Sequence, residues 1–431
     1  MTDEQGDAEK NAQLACGMYR RNHLLWLLLA VLLASLVQSI AVFKLEHDPV
    51  DPYDSKEYLA IARSLYQGNG YGIAGEAFAG FESFQGESPT RMRQPGYPLY
   101  LFLTYWHLGQ KIPTVQISQI MLNGLTLLLL FSISHLLFRN KLWPGTMIGL
   151  ALYFPLWLTS ASLLSESLFT FLLVFAMWLL LKAIHSSTRV IRTLALSGMA
   201  FGLAFLTRPI ALPLILLTFV VISMRRKSLR CYAIEGGVLF GAFLLTVSPW
   251  WLRNGIALGD WVPLSTDGGY NIWYASVPEA EPKWWGSHEF EAAVGNGYYL
   301  TREANIRFTE MAIARITASP WAYLRRGVAR VAWVWSYFPG SQLFRDKPLV
   351  FIPLTLVQLA IIVLAALGLV TTHRFARVYL LVPVFALTSV LLFTKGISRF
   401  ILPAMPFVLL AAGQGFFWLW RQMARWRGQS R

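Results

Sequence analysis

Charge is what this sequence has least of. Asp, Glu, Lys and Arg make up 14% of its 431 residues, against about 25% in an ordinary soluble domain. A chain so poor in charge cannot keep its surface wetted, which excludes a freely soluble globular protein. Cysteine is almost missing: Cys16 and Cys231 are the two, so a small disulfide-stapled scaffold is excluded as well. No Gly-rich loop ends in Lys-Ser/Thr, which removes a P-loop ATPase. The seven histidines show no paired metal-ligand spacing, so no cofactor is expected and no metal site is assigned. Divalent-metal dependence through the acidic residues stays open. Internal repeats and mid-span carboxylates, which mark many transporters, are not evident either.

What is present is apolar. Hydrophobic residues make up 55% of the chain, and mean hydropathy is +0.47. The fold class this implies is an all-α polytopic membrane protein. A span needs about 20 mostly apolar residues. Candidates are 24–43, 113–137, 144–160, 163–182, 193–207, 209–224, 233–252, 349–371, 378–394 and 400–420. About ten transmembrane helices are therefore expected, with 144–182 divided at Pro155 and 193–224 divided at Arg208-Pro209. Arg20, Arg21 and His23 precede the first span as in a signal peptide. The apolar run is too long for one, and no small-residue cleavage site follows, so a retained anchor is expected.

Residues 1–23 read as a cytoplasmic tail, and 24–431 as a membrane domain with two long outer segments, 46–94 and 253–348. The sign of the loops sets this orientation. Short inner loops carry Arg139 and Lys141, Arg189 and Arg192, Arg225 to Lys227, and Arg374 and Arg377. The inner tail carries Arg421, Arg425, Arg427 and Arg431. Seventeen of the 23 acidic residues lie in the two long outer segments. Both termini are thus expected inside a cell (inner) membrane. The net charge of +14 belongs with anionic membrane lipid rather than nucleic acid.

The first outer segment holds a helix signal. Asp51-Pro52 suits a cap and first helical residue. Tyr58, Ile61, Ala62 and Leu65 form one apolar stripe, and Gly68-Asn69-Gly70 ends it. Too short and polar to span, this helix is expected to lie on the membrane surface. Asp54 sits in its first turn. That carboxylate either complements the helix dipole or serves as a base facing a cavity, and Asp48 and Glu57 are alternatives for the second role. Downstream, Arg91 and Arg93 precede a Pro95-Gly96-Tyr97-Pro98 turn. Arginine forks suit phosphate, and they equally suit snorkelling toward lipid headgroups.

These residues in this order resemble a family. Asp54-Ser55-x-x-Tyr58-x-x-Ile61-Ala62, Gly68-x-Gly70-Tyr71 and Arg93-x-Pro95-Gly96-Tyr97-Pro98 come first. Ser165-Glu166, Thr207-Arg208-Pro209, Ser248-Pro249-Trp250-Trp251-Leu252-Arg253-Asn254, Gly259 to Asn271, and Ser398-Arg399-Phe400-x-x-Pro403 follow. The set resembles the integral-membrane GT-C glycosyltransferases, of the protein mannosyltransferase and aminoarabinose transferase type. The resemblance implies a GT-C-like fold with extracytoplasmic surface helices. It implies a polyprenyl-phosphate-linked sugar donor, a glycan, lipid or protein acceptor, and inverting transfer outside the cytoplasm. It places the catalytic carboxylate on Asp54. Two departures stand out: Ser55 replaces the second acid of an Asp-Glu pair, and Glu57 stands where aminoarabinose transferases carry a basic residue.

The chemistry suits the parts. A lipid phosphate leaves as a stable anion, so it needs positive charge more than an acid. One base and several arginines suffice, whereas hydrolytic glycosidases need two carboxylates. Asp54 is therefore the candidate base, and Arg91, Arg93 and Arg399 the candidate phosphate contacts. Glu57, Tyr58, Glu166, Arg208 and Arg253 are possible supports. Trp261, Trp273, Tyr274, Trp284, Trp285, Tyr298 and Tyr299 suit either sugar platforms or an interfacial belt. Residues 303–337 read as amphipathic surface helices whose Arg325, Arg326 and Arg330 would guide an anionic lipid or meet bulk headgroups. The alternative from another class is a transporter or flippase of lipid-linked sugars.

Overall fold

The structure of the protein is a computed structural model. It describes residues 25–43, 50, 53–73, 90, 92–138, 143–186, 188–224, 228–259, 265, 267–278, 287–295, 299–339 and 346–429. Among the described residues every regular element is helical. Eight helices are long and apolar enough to cross a membrane. They are α1 (Leu25–Phe43), α4 (Ile112–Phe138), α7 (Glu166–His185), α8 (Val190–Thr207), α10 (Leu229–Leu258), α15 (Pro348–Thr371), α16 (Arg374–Phe393) and α17 with its 3-10 lead-in (Ser398–Trp426). The all-α polytopic class is as expected.

The span count is corrected in form. The expected span 144–160 is two pieces, α5 (Trp143–Leu152) and α6 (Phe154–Leu158). Pro155 has no amide hydrogen to bond back along the helix, and the break falls at the non-helical Tyr153. The expected span 209–224 is a 3-10 turn at Pro209–Ala211 followed by the short α9 (Leu212–Ser223). Neither has the length of a full span. The first still carries the chain across. Gln116 and Gln119 near the start of α4 donate to the carbonyls of Ala161 and Ser160, which follow α6. At the other end of α4, the Leu137 carbonyl meets His373, between α15 and α16.

Inside the bundle, polar and small side chains join the helices. Asn123 donates to Gln38 at 2.8 Å, linking α4 to α1. Gly368 on α15 lies so close to the Ala411 carbonyl of α17 that any Cβ would collide with it.

The two long segments between spans fold together at one end of the bundle. They supply α2 (Tyr53–Tyr66), α3 (Gly96–Leu101), α11 (Gly268–Ser276), α12 (His288–Val294), α13 (Arg302–Ala318) and α14 (Pro320–Ser336). Ile61 and Met92 from the first segment pack with Trp273, Phe290, Leu300 and Phe308 from the second. Each fully buried large apolar side chain contributes roughly 1.5–3 kcal/mol. Of the expected apolar stripe of α2, Tyr58, Ile61 and Ala62 are buried and Leu65 is half-buried, but Glu57 and Ala60 on other faces are buried too. The helix is therefore clamped between layers rather than laid on an open surface. Its other side meets Tyr97, Leu101, Val115 and Leu163.

Candidate functional site

Asp54 stands in the first turn of α2, where the helix dipole favours negative charge. Its two oxygens are divided between two guanidiniums. Arg93 Nη2 donates to Oδ1 at 2.8 Å, and Arg399 Nη2 donates to Oδ2 at 2.5 Å. Arg93 comes from the turn before α3. Arg399 comes from the 3-10 turn Ser398–Ala404 that opens the last span.

The pairing continues on both sides. Arg93 Nε donates to Glu57, which is 1% exposed. Arg93 Nη1 lies 3.8 Å from Asp267 Oδ2. Arg399 Nε lies 3.5 Å from Glu166 Oε1 at the start of α7. That same oxygen pairs with Arg208 Nη1 at 2.7 Å, from the α8–α9 link. The result is an alternating ladder: Glu57, Arg93, Asp54, Arg399, Glu166, Arg208. Five separate parts of the chain supply its six charges.

Electrostatics follow from the ladder. Burial opposes ionisation of Asp54, but Arg93, Arg399 and more distant Arg208 outweigh it and hold the carboxyl well below the usual range. Burial likewise opposes the charge on Arg93, yet Glu57 and Asp54 raise its pKa well above normal. Burial pushes the Tyr58 and Tyr299 hydroxyls up. Tyr58 lies under Arg93, with the guanidinium carbon 5.4 Å from the ring centroid.

The ladder borders a cavity of about 390 Å³, within the range of small-molecule sites. Asp54, Arg93, Arg208 and Arg399 line it, together with Asp267, Tyr270, Tyr299 and Lys395. Gln94 also lines it. It is 4% exposed, and neither polar atom of its side chain has a hydrogen-bond partner among the described residues.

Local sequence explains the convergence. A Cβ on Gly96 would stand 2.5 Å from Thr207 Oγ1 and 2.8 Å from the Leu206 carbonyl. Only glycine lets the Pro95-Gly96 turn settle against the end of α8, which brings Arg93 and Arg208 to one place. Ser55, where an acid was expected from the resemblance, is fully buried and donates to the Leu163 carbonyl at 3.0 Å. It anchors α2 to the turn before α7 and takes no place among the cavity residues.

The structure thus brings Asp54, Arg93 and Arg399 together, with Glu57, Tyr58, Glu166 and Arg208 around them. Arg253 is elsewhere. It donates to the Thr90 and Tyr71 carbonyls at 2.7 and 2.9 Å, and Tyr71 in turn donates to the Arg93 carbonyl at 2.8 Å. It holds the loop that carries Arg93. Arg91, Asp48, Asp51, Trp261, Trp284, Trp285 and Tyr298 lie outside the described residues. Trp273 is core, fully buried against Phe290 and Phe308, so it is no sugar platform. Arg326 and Arg330 donate to main-chain carbonyls of Ser276 and Ala275, while Arg325 is exposed. Arg326 and Arg330 therefore tie α14 to α11 instead of waiting for lipid.

Sequence reasoning did not single out Gln94, Asp267, Tyr270 or Lys395. Gln94 adjoins Arg93, and Asp267 and Tyr270 stand within a motif already quoted, so proximity to motifs was the available signal. Among the described residues no group of three or more His, Cys, Asp or Glu side chains is placed to hold a metal ion.

No protein-family profile matches the chain, and no curated protein does. Solved structures do match. The archaeal oligosaccharyltransferase AglB from Archaeoglobus fulgidus, in complex with an inhibitory peptide and a dolichol-phosphate, gives a TM-score of 0.53 at 13% identity, over 94% of this chain and 51% of that one. The Archaeoglobus fulgidus oligosaccharyltransferase in complex with Zn and sulfate gives 0.53 at 11%, over 91% and 49%. ArnT from Cupriavidus metallidurans bound to undecaprenyl phosphate gives 0.43 at 12%, over 91% and 77%. This chain spans about half the length of the oligosaccharyltransferase. The oligosaccharyltransferase likeness establishes the fold, the GT-C arrangement expected from the sequence.

Proposed function

We propose that this protein is a glycosyltransferase that moves a sugar from a polyprenyl-phosphate donor to an acceptor hydroxyl on the extracytoplasmic face of the cell membrane. One observation carries the reading: a carboxylate held between two arginines beside a cavity at the ends of apolar spans. The site suits a ligand with an apolar tail in the bilayer and a phosphate at headgroup depth. The AglB structure in complex with a dolichol-phosphate agrees with that ligand class.

In the proposed reaction, the donor's phosphodiester enters beside Arg93 and Arg399. The bond between the anomeric carbon and the phosphate oxygen breaks, and its electron pair leaves with that oxygen. A new bond forms from the acceptor oxygen on the opposite face, which inverts the centre. The acceptor proton passes to Asp54. With two guanidiniums on it, Asp54 is a weak base. Phosphate oxygens compete for the same donors, and each one they take raises the basicity of the carboxylate. Donor binding thus readies the base. Glu166 and Glu57 hold Arg399, Arg208 and Arg93 in place throughout. The acceptor is a glycan, lipid or protein hydroxyl, and no metal is assigned a role.

The test is turnover. Purified protein in nanodiscs is given polyprenyl-phosphate-linked hexoses and pentoses, with membrane extract as the acceptor source. Release of polyprenyl phosphate with label passing to an acceptor is expected for at least one donor. Label that crosses sealed vesicles still attached to its lipid would select the transporter instead. Sidedness has its own check. Cys231, exposed at the start of α10, lies at the proposed inner end. In a Cys16→Ser background it should react with a membrane-impermeant maleimide only after permeabilisation. An added Glu291→Cys on α12 should react in intact cells. The reverse pattern would place the site inside.

A further inference from the structure

We propose that Lys395, which no motif includes, is the residue that receives the donor phosphate first and holds it as its charge grows. This rests on the reading of the cavity as a lipid-phosphate site.

Lys395 lies in the link between α16 and the 3-10 turn, four residues before Arg399. Its main-chain amide donates to the Asn271 carbonyl of α11 at 3.0 Å. Arg330 of α14 donates to the Thr394 and Leu391 carbonyls at 3.0 and 3.1 Å, and to Ala275 at 2.8 Å. The link is therefore fastened to α11, and the side chain lies along the rings that α11 presents. The Lys395 ammonium stands 4.8 Å from the Tyr274 ring centroid and 5.3 Å from that of Tyr270.

Among the described residues four cations line the cavity: Arg93, Arg208, Arg399 and Lys395. Each arginine is already in an ion pair with a carboxylate. Lys395 has no carboxylate within ion-pair distance among the described residues, only aromatic faces. Cation–π contact offsets part of the desolvation of an ammonium, and less than a paired anion would. Burial lowers the Lys395 pKa, with Asp54 opposing that only in part. An incoming phosphate can meet Lys395 without displacing an acid, whereas each arginine must first loosen one.

Chemistry gives the same residue a second task. The donor is a phosphodiester with one negative charge. Cleavage leaves a phosphomonoester whose second charge is largely developed at neutral pH. A cation without an acid on it is best placed to stabilise that growth.

The test uses farnesyl phosphate and farnesol as probes, bound to the full protein in nanodiscs. Lys395→Met is expected to weaken farnesyl phosphate binding at least about tenfold, the effect of one charge-assisted contact. Farnesol binding and the thermal midpoint should be unchanged. Lys395→Arg should recover most of the affinity. Wild-type affinity for farnesyl phosphate in Lys395→Met would overturn the inference, and so would an equal loss for farnesol, which would make the side chain a strut. If the wild-type protein does not prefer farnesyl phosphate to farnesol, the lipid-phosphate reading of the cavity fails as well.

Discussion

Asp54→Asn protein should insert, fold and bind lipid phosphate, yet turn over donor at least about a thousandfold more slowly than wild type. The substitution keeps the size of the side chain and one oxygen that can accept from Arg93 or Arg399. It removes the charge that orients both guanidiniums and the lone pair that takes the acceptor's proton. Neither neighbouring acid can replace it. Glu57 is buried behind Arg93, and Glu166 is held by Arg208 and Arg399. Asp54→Glu keeps the charge but moves it by a methylene, so an intermediate rate is expected. The measurement is polyprenyl phosphate release under saturating donor, alongside a thermal midpoint. A rate within tenfold of wild type in a folded Asp54→Asn protein would remove this residue from the chemistry.

Arg93→Ala should damage both fold and reaction. Arg93 answers Asp54, Glu57 and Asp267 at once. Truncation leaves Glu57 buried without that partner, and breaking a buried pair from one side costs about 3–5 kcal/mol. Adding Glu57→Gln removes that buried charge. The double variant should therefore regain much of the lost stability while recovering none of the activity, because Asp54 and the donor phosphate still lack the Arg93 guanidinium and keep only that of Arg399. Thermal midpoints at a single scan rate, with turnover measured in parallel, separate the two effects. If Arg93→Ala alone melts at the wild-type temperature, the ladder is not structural. If the double variant regains turnover, the arginine does not serve the reaction.

How much of this was written plainly in the chain depends on the range of the interaction. Apolar runs act through composition alone, so the spans were legible, and the division at Arg208-Pro209 stands. The division at Pro155 was placed by the proline itself. The structure breaks two residues earlier, at Tyr153, because the missing amide disrupts the preceding turn. Asp54, Arg93 and Arg399 stand in motifs quoted for the family resemblance, and the fold brings them together; spacing alone left Asp54 open between a helix-dipole carboxylate and a base. The ladder was not legible, since its rungs come from five parts of the chain and no local pattern states that Glu166 faces Arg399. Arg326 and Arg330 show the reverse error. On paper they were cations for lipid or headgroups, but in the fold they donate to main-chain carbonyls. Lys395 escaped notice because its partners, Tyr270 and Tyr274, lie more than a hundred residues away.

In the proposed reaction a lipid phosphate reacts beside Asp54, between the arginines that now hold it. A cryo-EM map of the wild-type protein in nanodiscs saturated with a polyprenyl phosphate tests this most directly. Phosphate density is expected in the cavity, with its oxygens at charge-assisted hydrogen-bond distance, about 2.7–2.9 Å, from Arg93 or Arg399, and Asp54 released from at least one of them. Phosphate bound elsewhere, with the Asp54 pairings intact, would contradict it.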